Sequence, residues 1–220
     1  GGARGIGEAV ARLLLSRGVD VIVVARTSAS VDHALEGFAS VVGGSPTGFV
    51  ADVSNPDDVA RLSAFVLADG APTYVVNNAG IVRRGTPVET TPVSAWDEVM
   101  AVNLRGPFLV TRAFLPAMKA HGGGRFVHIA SISSRIACPD NASYAASKWG
   151  LIGFARSLAE ELRGSAVQSM TVLPGSVDTD MLKGSGFPPQ MSAADVAKVV
   201  VDLLMIAPDS DHGLEHEMFG

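Results

Sequence analysis

The sequence has few of the features that mark secreted, membrane or nucleic-acid-binding proteins. Its 220 residues include a single cysteine, Cys138, which excludes an intrachain disulfide. No apolar run approaches the ~20 residues that a membrane-spanning helix needs, and no signal peptide is visible. Charged residues make up only 18% of the chain, and its seventeen Lys and Arg residues are scattered at a net charge of −5. We therefore expect a cytoplasmic protein with neither a membrane nor a nucleic acid as partner.

What the sequence does have is a regular alternation of short apolar runs with segments of helical periodicity. The apolar runs predict strands over 19–26, 47–53, 73–80, 124–131 and 167–175, with a weaker signal at 215–220. Helical spacing predicts helices over 8–18, 30–42, 56–65, 94–119, 143–162 and 192–207. This alternation predicts a single α/β domain over residues 1–220, built on a doubly wound parallel sheet with helices on both faces. Ligands should then bind at the C-terminal ends of the strands.

The chain opens directly on a glycine-rich stretch, Gly1–Gly7, that has no strand before it. A glycine-rich phosphate loop normally follows a strand and begins a helix. We therefore expect that the first strand is missing from the numbered sequence. A sheet that lacks a central strand would leave its two neighbours with unpaired edges.

The spacing of the glycines at 1, 5 and 7 predicts a loop that binds a pyrophosphate. Gly1 and Gly5 would let the backbone approach the phosphates, and Gly7 would let the helix pack closely on the sheet. Arg4 and Ile6 lie in the same loop, at a helix N-terminus whose N–H groups favour anions. The alternative is a tight strand-to-helix turn that binds no ligand.

The end of the strand predicted over 19–26, which is the second strand when the missing one is counted, indicates which dinucleotide is bound. NAD sites usually carry a carboxylate there, but this strand ends in Val24-Ala25-Arg26-Thr27. Arg26 and Arg4 would suit a 2′-phosphate through charge-assisted contacts. NADP(H) is therefore the favoured cofactor and NAD(H) the alternative, while Arg26 on its own would also be consistent with an ordinary surface arginine.

Other strand ends supply small or polar residues that suit a dinucleotide. Asp52 could accept a hydrogen bond from an adenine amino group, or it could instead cap the turn before Pro56. The candidate cofactor contacts at these strand ends are Asp52, Val53, Asn78, Ala79, Gly80, Pro174, Gly175, Val177 and Thr179. For each of them a role in the turn alone is the alternative.

The stretch from Ser131 to Lys148 carries the residues that suit acid–base chemistry. Tyr144 and Lys148 stand four residues apart in a predicted helix, so both side chains share one face. A neighbouring ammonium favours the phenolate, so we expect Lys148 to lower the pKa of Tyr144 toward neutrality. Ser131, at the end of a strand, could hold a substrate oxygen. On its own, a Tyr-x-x-x-Lys spacing also occurs by chance in helices.

Taken together, the G-x-x-x-G-x-G, N-N-A-G, Y-x-x-x-K and P-G motifs closely resemble those of the classical short-chain dehydrogenase/reductase family, from Gly1 to about Thr179. The resemblance implies a Rossmann-type fold and a homodimer or homotetramer. It implies catalytic roles for Asn103, Ser131, Tyr144 and Lys148, with Lys148 and Tyr144 also contacting the nicotinamide ribose. Asn103 would hold a water that links Lys148 to solvent. The chain departs from the family pattern at His128, where asparagine is frequent.

The resulting expectation is an NADP(H)-dependent oxidoreductase that interconverts a carbonyl and a secondary alcohol of a small molecule, resembling 3-oxoacyl-thioester reductases and related ketoreductases. The alternatives are a catalytically silent sensor or scaffold that binds the cofactor, or an NAD-dependent alcohol, steroid or sugar dehydrogenase. The segment 181–191 is expected to form a mobile lid over an apolar pocket. No metal site is expected, because His212 and His216 lack a third ligand.

Overall fold

A computed structural model of the protein describes residues 1–219. Its helices are α1 (Gly5–Ser16), α2 (Ser28–Phe38), α3 (Pro56–Leu67), α4 (Val93–Met100), α5 (Gly106–Ala120), α6 (Ala142–Glu161) and α7 (Ala193–Met205). Its strands are β1 (Val21–Ala25), β2 (Pro46–Val50), β3 (Tyr74–Asn77), β4 (Gly124–Ile129), β5 (Val167–Pro174), β6 (Val177–Asp178), β7 (Met191–Ser192) and β8 (Glu215–Met218). Strands and helices alternate as the periodicity predicts.

The main sheet is parallel and has helices on both faces. Residues alternate between its two faces, as in β4, where Val127 packs with α1 and α7 while Phe126 packs with α3, α5 and α6. The side chains of Phe126, Val127 and Met170 are fully buried. Because both faces are covered, β5 is buried along its whole length, as parallel strands with helices on each side usually are. The doubly wound α/β fold is thereby confirmed.

The sheet consists of two separate parts. β1 pairs with β2 in one part, and β3-β4-β5-β8 form the other, with every pairing parallel. Within residues 1–219 no strand pairs with the second edge of β1 or of β3. These are the two unpaired edges that the sequence leads us to expect. A cavity of about 360 Å³ lies between them, lined mainly by apolar side chains of β1, β3, α1, α3 and α5.

One predicted helix is interrupted in the structure. The helix predicted over 94–119 is divided into α4 and α5 by a π-helical turn at Ala101–Arg105. Pro107 is the second residue of α5, in the first turn, where a missing N–H is tolerated, whereas Pro116 lies inside α5. The weaker strand signal at 215–220 is confirmed for Glu215–Met218, and Gly220 lies outside the described residues.

Candidate active site

Ser131 and Tyr144 meet where β4 ends and α6 begins. Ser131 caps the short helical turn Ile132–Ser134, and its Oγ accepts a hydrogen bond of 3.1 Å from the N–H of Ser133. Tyr144 lies in the first turn of α6, and both residues are buried. The Ser131 side chain is close enough to Tyr144 to act on its pKa, in the direction that favours the phenolate. The two groups that the sequence assigns to a substrate oxygen are therefore adjacent.

Lys148 lies one turn further along α6 and is buried. Its Nζ donates a 2.7 Å hydrogen bond to the carbonyl oxygen of Ile129, at the end of β4. It also lies 5.8 Å from the centroid of the Tyr144 ring. Burial lowers the pKa of Lys148 to about 8, so at neutral pH the side chain is mostly an ammonium. The i, i+4 spacing thus places the cation beside the phenol, as predicted.

The pKa of Tyr144 differs from the prediction. Burial is the strongest influence, and it raises the pKa because the phenolate would be desolvated. Hydrogen bonding with Ser131 and the charge of Arg84 act in the opposite direction but do not outweigh it. Lys148 is not among the groups that lower this pKa, so the predicted lowering by the lysine is wrong for this structure. The sequence shows the i, i+4 pair but not how deeply the ring is buried.

Asn103 is fully buried and lies in the π-helical turn between α4 and α5. Its Oδ1 accepts from the N–H of Ile81 at 2.8 Å, and its Nδ2 donates to the carbonyl oxygen of Ile81 at 2.9 Å. The same Nδ2 donates to Ser147 Oγ at 3.0 Å, and Ser147 in turn donates to the carbonyl oxygen of Tyr144. Asn103 therefore fixes the chain after β3 to α6. π-helical turns are common at functional sites.

The glycine-rich loop packs against the two other predicted cofactor motifs. A Cβ on Gly7 would lie 2.0 Å from the carbonyl oxygen of Gly1, which accepts a 2.6 Å hydrogen bond from Asn78 Nδ2. A Cβ on Gly1 would lie 2.5 Å from the backbone nitrogen of Ala79. Gly5 has a φ of 55°, and a Cβ there would lie 3.2 Å from Thr179 Cγ2. Glycine permits these close approaches. The glycine-rich loop, the N-N-A-G segment and the segment around Thr179 therefore lie in contact, although they are distant in sequence.

This place has the chemistry that a dinucleotide phosphate needs. The N-terminus of α1 has no side-chain cap at Arg4, whereas Thr27, Asn55 and Ser192 cap α2, α3 and α7. The first N–H groups of α1 are therefore available to an anion. Gly80 lies close by, since a Cβ on it would be 3.7 Å from Lys148 Nζ. The residues present fit a phosphate-bearing cofactor, and Lys148 lies beside the N-N-A-G end of this place.

Comparison with known proteins agrees with this geometry. The family model described as short chain dehydrogenase matches residues 1–187. The chain belongs to the short-chain dehydrogenase/reductase family. It is 36% identical over 184 residues to a 3-oxoacyl-[acyl-carrier-protein] reductase of Vibrio cholerae, covering 83% of this chain and 73% of that protein. It is 33% identical over 202 residues to 2-(R)-hydroxypropyl-CoM dehydrogenase of Xanthobacter autotrophicus, covering 90% and 81%.

A solved short-chain dehydrogenase/reductase structure from Mycobacterium ulcerans superposes with a TM-score of 0.93 at 27% identity. The superposition covers 99% of this chain and 86% of that one. Membership of the short-chain dehydrogenase/reductase family makes the protein an oxidoreductase that uses a nicotinamide cofactor and acts on a small molecule.

In this short-chain dehydrogenase/reductase, Asp52 takes the turn role that the sequence leaves open. Its Oδ1 accepts hydrogen bonds from the N–H and the hydroxyl of Ser54, at 2.8 and 2.7 Å. Its own N–H donates to Asp58 Oδ2 at 2.8 Å. One carboxylate oxygen therefore holds the turn after β2, and only the other is free of hydrogen bonds to residues 1–219. An adenine contact through that second oxygen stays a prediction.

The remaining candidate cofactor residues lie around the same edge of the sheet. Gly175 is in close contact with β8, because a Cβ on it would lie 3.2 Å from the carbonyl oxygen of Met218. Thr179 Oγ1 donates to the carbonyl oxygen of Val177 at 3.4 Å, which orients the chain after β6. Ile6 and Val53 are half-buried and pack against the core, and Pro174 closes β5.

The two arginines predicted to choose the cofactor are exposed. Arg26 directly follows β1 and is exposed, and the structure records neither a carboxylate partner nor a hydrogen bond for its side chain within residues 1–219. Arg4 lies 3.8 Å from Asp180 in an ion pair whose side chains are 71% and 58% exposed. Both guanidiniums are therefore accessible at the end of β1, and their 2′-phosphate role stays a prediction.

Arg84, whose charge reaches Tyr144, is not among the residues that the sequence motifs single out. Arg84 is half-buried in the loop after β3, and its Nη1 donates a 2.7 Å hydrogen bond to the carbonyl oxygen of Met181. The only sequence signal is a pair of arginines, Arg83-Arg84, four residues beyond the N-N-A-G motif. Because the path of a loop cannot be derived from periodicity, this signal could not show which arginine turns inward.

Two features are absent from residues 1–219. Among these residues no helix is both long and apolar enough to traverse a bilayer. Nor do they contain a group of three His, Cys, Asp or Glu side chains placed to hold a metal ion.

Proposed function

We propose that this chain is an NADP(H)-dependent ketoreductase that interconverts a ketone and a secondary alcohol. One observation carries the proposal. Ser131, Tyr144 and Lys148 form a buried cluster at the end of β4, and Asn103 joins that cluster to the chain after β3. The glycine-rich loop and the N-N-A-G segment lie at the same edge of the sheet.

The residues that would hold the cofactor lie where the glycine-rich loop meets the N-N-A-G segment. Gly1, Gly5 and the N-terminus of α1 would bind its phosphates, and Lys148, beside Gly80, would hold the nicotinamide ribose. Arg4 and Arg26 would contact a 2′-phosphate, which is why we favour NADP(H) over NAD(H). When bound, the nicotinamide supplies the hydride that the reduction needs.

The protein's own groups would act on the carbonyl oxygen. Ser131 and Tyr144 would each donate a hydrogen bond to it, and this polarises the carbonyl. Tyr144 would then give its proton to that oxygen as the negative charge develops. The ammonium of Lys148 and a water held near Asn103 would return a proton to Tyr144.

The pKa of Tyr144 favours one direction of the reaction at neutral pH. Because burial raises this pKa, the phenol is protonated at neutral pH and is ready to act as an acid. Reduction of a carbonyl requires that state, whereas oxidation of an alcohol requires the phenolate. We therefore propose that the chain reduces a ketone at neutral pH and oxidises the alcohol more readily as the pH rises.

The relatives support a ketone or a secondary alcohol as the reacting group. One is named for a 3-oxoacyl group and another for a 2-hydroxypropyl group, and these contain a ketone and a secondary alcohol respectively. A 3-oxoacyl thioester, a ketosteroid, a sugar and a small ketone each contain a ketone or a secondary alcohol, so all four stay candidate substrate classes.

We also propose that the chain forms a homodimer or homotetramer. Large apolar side chains are exposed on consecutive helices: Trp96 on α4 is 38% exposed, Phe108 on α5 is 45% exposed and Trp149 on α6 is 53% exposed. Exposed apolar surface of this kind favours burial against another copy of the chain. A cytoplasmic location stays a prediction from the sequence.

A spectrophotometric screen tests the proposed function. The protein is mixed with NADPH or NADH and a panel of ketones, and the loss of the reduced nicotinamide is followed. We expect turnover of at least one ketone, with a higher kcat/KM for NADPH than for NADH. Tight binding of NADPH with no turnover across the panel would contradict the proposal and favour a silent cofactor-binding protein.

A further inference from the structure

Arg84 lies in a loop that is anchored on both sides of it. On the N-terminal side, Asn103 binds both the N–H and the carbonyl oxygen of Ile81. On the C-terminal side, the N–H of Gly85 donates a 3.1 Å hydrogen bond to the carbonyl oxygen of Asp140, four residues before Tyr144. The loop therefore runs from the Lys148 side of the site to the start of α6, and Arg84 is held next to the second anchor.

The guanidinium of Arg84 connects this loop to a segment that is distant in sequence. Its Nη1 donates to the carbonyl oxygen of Met181, 97 residues away in sequence and in the segment 181–191 predicted to cover the site. A guanidinium has five N–H donors, and this single contact uses one of them. The structure records no hydrogen bond within residues 1–219 for the remaining donors of this half-buried side chain.

No carboxylate neutralises Arg84 within the described part of the chain. The neighbouring Arg83 differs, because its guanidinium binds Glu98 through both Nε and Nη2, at 3.1 and 2.8 Å. The acid nearest to Met181 in sequence is Asp180, and it is already paired with Lys183 at 2.5 Å and with Arg4 at 3.8 Å. The charge of Arg84 therefore has no counter-charge within residues 1–219, and it is close enough to act on the Tyr144 phenol.

We propose that Arg84 is a specificity-determining residue that selects an anionic substrate, a short oxo acid whose carboxylate binds the Arg84 guanidinium while its carbonyl oxygen meets Ser131 and Tyr144. The inference rests on the proposed ketoreductase function. A planar carboxylate matches the paired N–H donors of a guanidinium. A neutral ketone of the same shape would leave a half-buried cation without a counter-charge.

The test compares one anion with its neutral analogue. The substrates are 3-oxobutanoate and methyl 3-oxobutanoate, which share the reacting ketone and differ in charge. In the unaltered protein we expect 3-oxobutanoate to have the higher kcat/KM. Arg84→Gln should lower kcat/KM for 3-oxobutanoate about 10- to 100-fold, in the range of a charge-assisted contact, and change the value for the ester less than about threefold. Arg83→Gln removes the same charge from the adjacent position and should change neither value by more than about twofold.

Two outcomes would overturn the inference. In the first, the unaltered protein turns over the ester and shows no preference for the anion. In the second, Arg84→Gln lowers both values by the same factor, because Arg84 would then act through Tyr144 or through the fold. Failure of both substrates and of the wider ketone panel would instead overturn the proposed function.

A second measurement does not depend on the folding of Arg84→Gln. The preference of the unaltered protein for the anion should fall as NaCl rises from about 0.05 to about 0.5 M, because salt screens a partly exposed charge. Arg84→Lys keeps the charge without the paired donors, and we expect it to retain part of the preference. A preference that is independent of both salt and the lysine substitution would contradict the role of Arg84.

Discussion

The two parts of the sheet differ in how their functional groups are held. On the four-stranded part and the helices around it, Asn103, Ser131, Tyr144 and Lys148 are buried, and hydrogen bonds within the protein hold the side chains of Asn103, Ser131 and Lys148. On the two-stranded part, Arg26 is exposed. Under the proposed function, the buried groups of the larger part would carry the chemistry, and the exposed arginine of the smaller part would recognise the charge of the cofactor. Substitutions in the two parts should therefore have effects of different size and kind.

The largest expected effect is at the reacting phenol. Tyr144→Phe removes only the hydroxyl, so turnover should fall about 10³-fold, within the usual range for a general acid. The affinity for NADPH, measured by fluorescence titration, should stay within about threefold. If turnover were retained in this variant, the buried cluster would not be the catalytic part of the molecule.

The next largest effect is expected at Asn103, where a single substitution in the buried larger part should lower both stability and activity. Asn103→Ala leaves the N–H and the carbonyl oxygen of Ile81 without their partner, whereas the hydroxyl of Ser147 keeps its bond to the carbonyl oxygen of Tyr144. Unsatisfied buried polar groups cost about 1–3 kcal/mol each, so we expect a loss of about 2–4 kcal/mol in the free energy of unfolding together with lower activity.

The control for this change is Asn55, whose Oδ1 caps α3 on the exposed surface. Asn55→Ala should cost about 1 kcal/mol of stability, typical of a lost cap, and leave kcat unchanged. Urea unfolding and steady-state kinetics measure both variants. Equal stability losses in the two variants would contradict the account of Asn103.

His128 gives the larger part a dependence of stability on pH. The side chain is fully buried on β4, burial lowers its pKa to about 4, and Asn77 Nδ2 lies 3.1 Å from its Nδ1. The unfolded chain takes up a proton near pH ~6.5 and the folded chain only near pH 4. This difference leaves the free energy of unfolding at its full value above pH ~6.5. The free energy of unfolding then falls as the pH drops toward 4, by about 2 kcal/mol between pH 7 and pH 5.

His128→Asn should abolish this contribution, so its unfolding free energy should fall less between pH 7 and pH 5 than that of the unaltered protein. His33 on α2 is exposed, and His33→Asn should keep the full loss. Urea titrations at the two pH values give the comparison. The same pH slope in all three proteins would remove His128 from the explanation.

The smallest expected effect is in the two-stranded part. Arg26→Ala should lower kcat/KM with NADPH roughly 3- to 10-fold, leave NADH almost unchanged and leave the melting temperature unaltered, because exposed charges contribute little to stability. Arg17→Ala makes the same change in net charge at the C-terminal end of α1, and it should leave kcat/KM unchanged with either cofactor. An equal loss with NADPH and NADH would mean that Arg26 does not choose between them.

Periodicity and motif spacing predict most of the fold and the members of the candidate site. The order of strands and helices follows from apolar patterns, and the i, i+4 spacing places Lys148 beside Tyr144. What they do not predict depends on contacts between distant parts of the chain. The π-helical turn is one case, since Asn103 is oriented by Ile81 in another segment. The direction of the Tyr144 pKa is another, because it depends on how much water reaches the ring.

The attachment of Ile81 to Asn103 has a consequence for the kinetics of recognition. A loop that orders only when a ligand arrives loses conformational freedom at that moment, and affinity falls accordingly. Here Ile81 and Gly85 are already fastened to the body of the protein, and Arg84 lies between them. The loss of freedom is incurred during folding, so a substrate that binds Arg84 as proposed would meet a guanidinium that is already positioned, and its capture would not have to wait for the loop to rearrange.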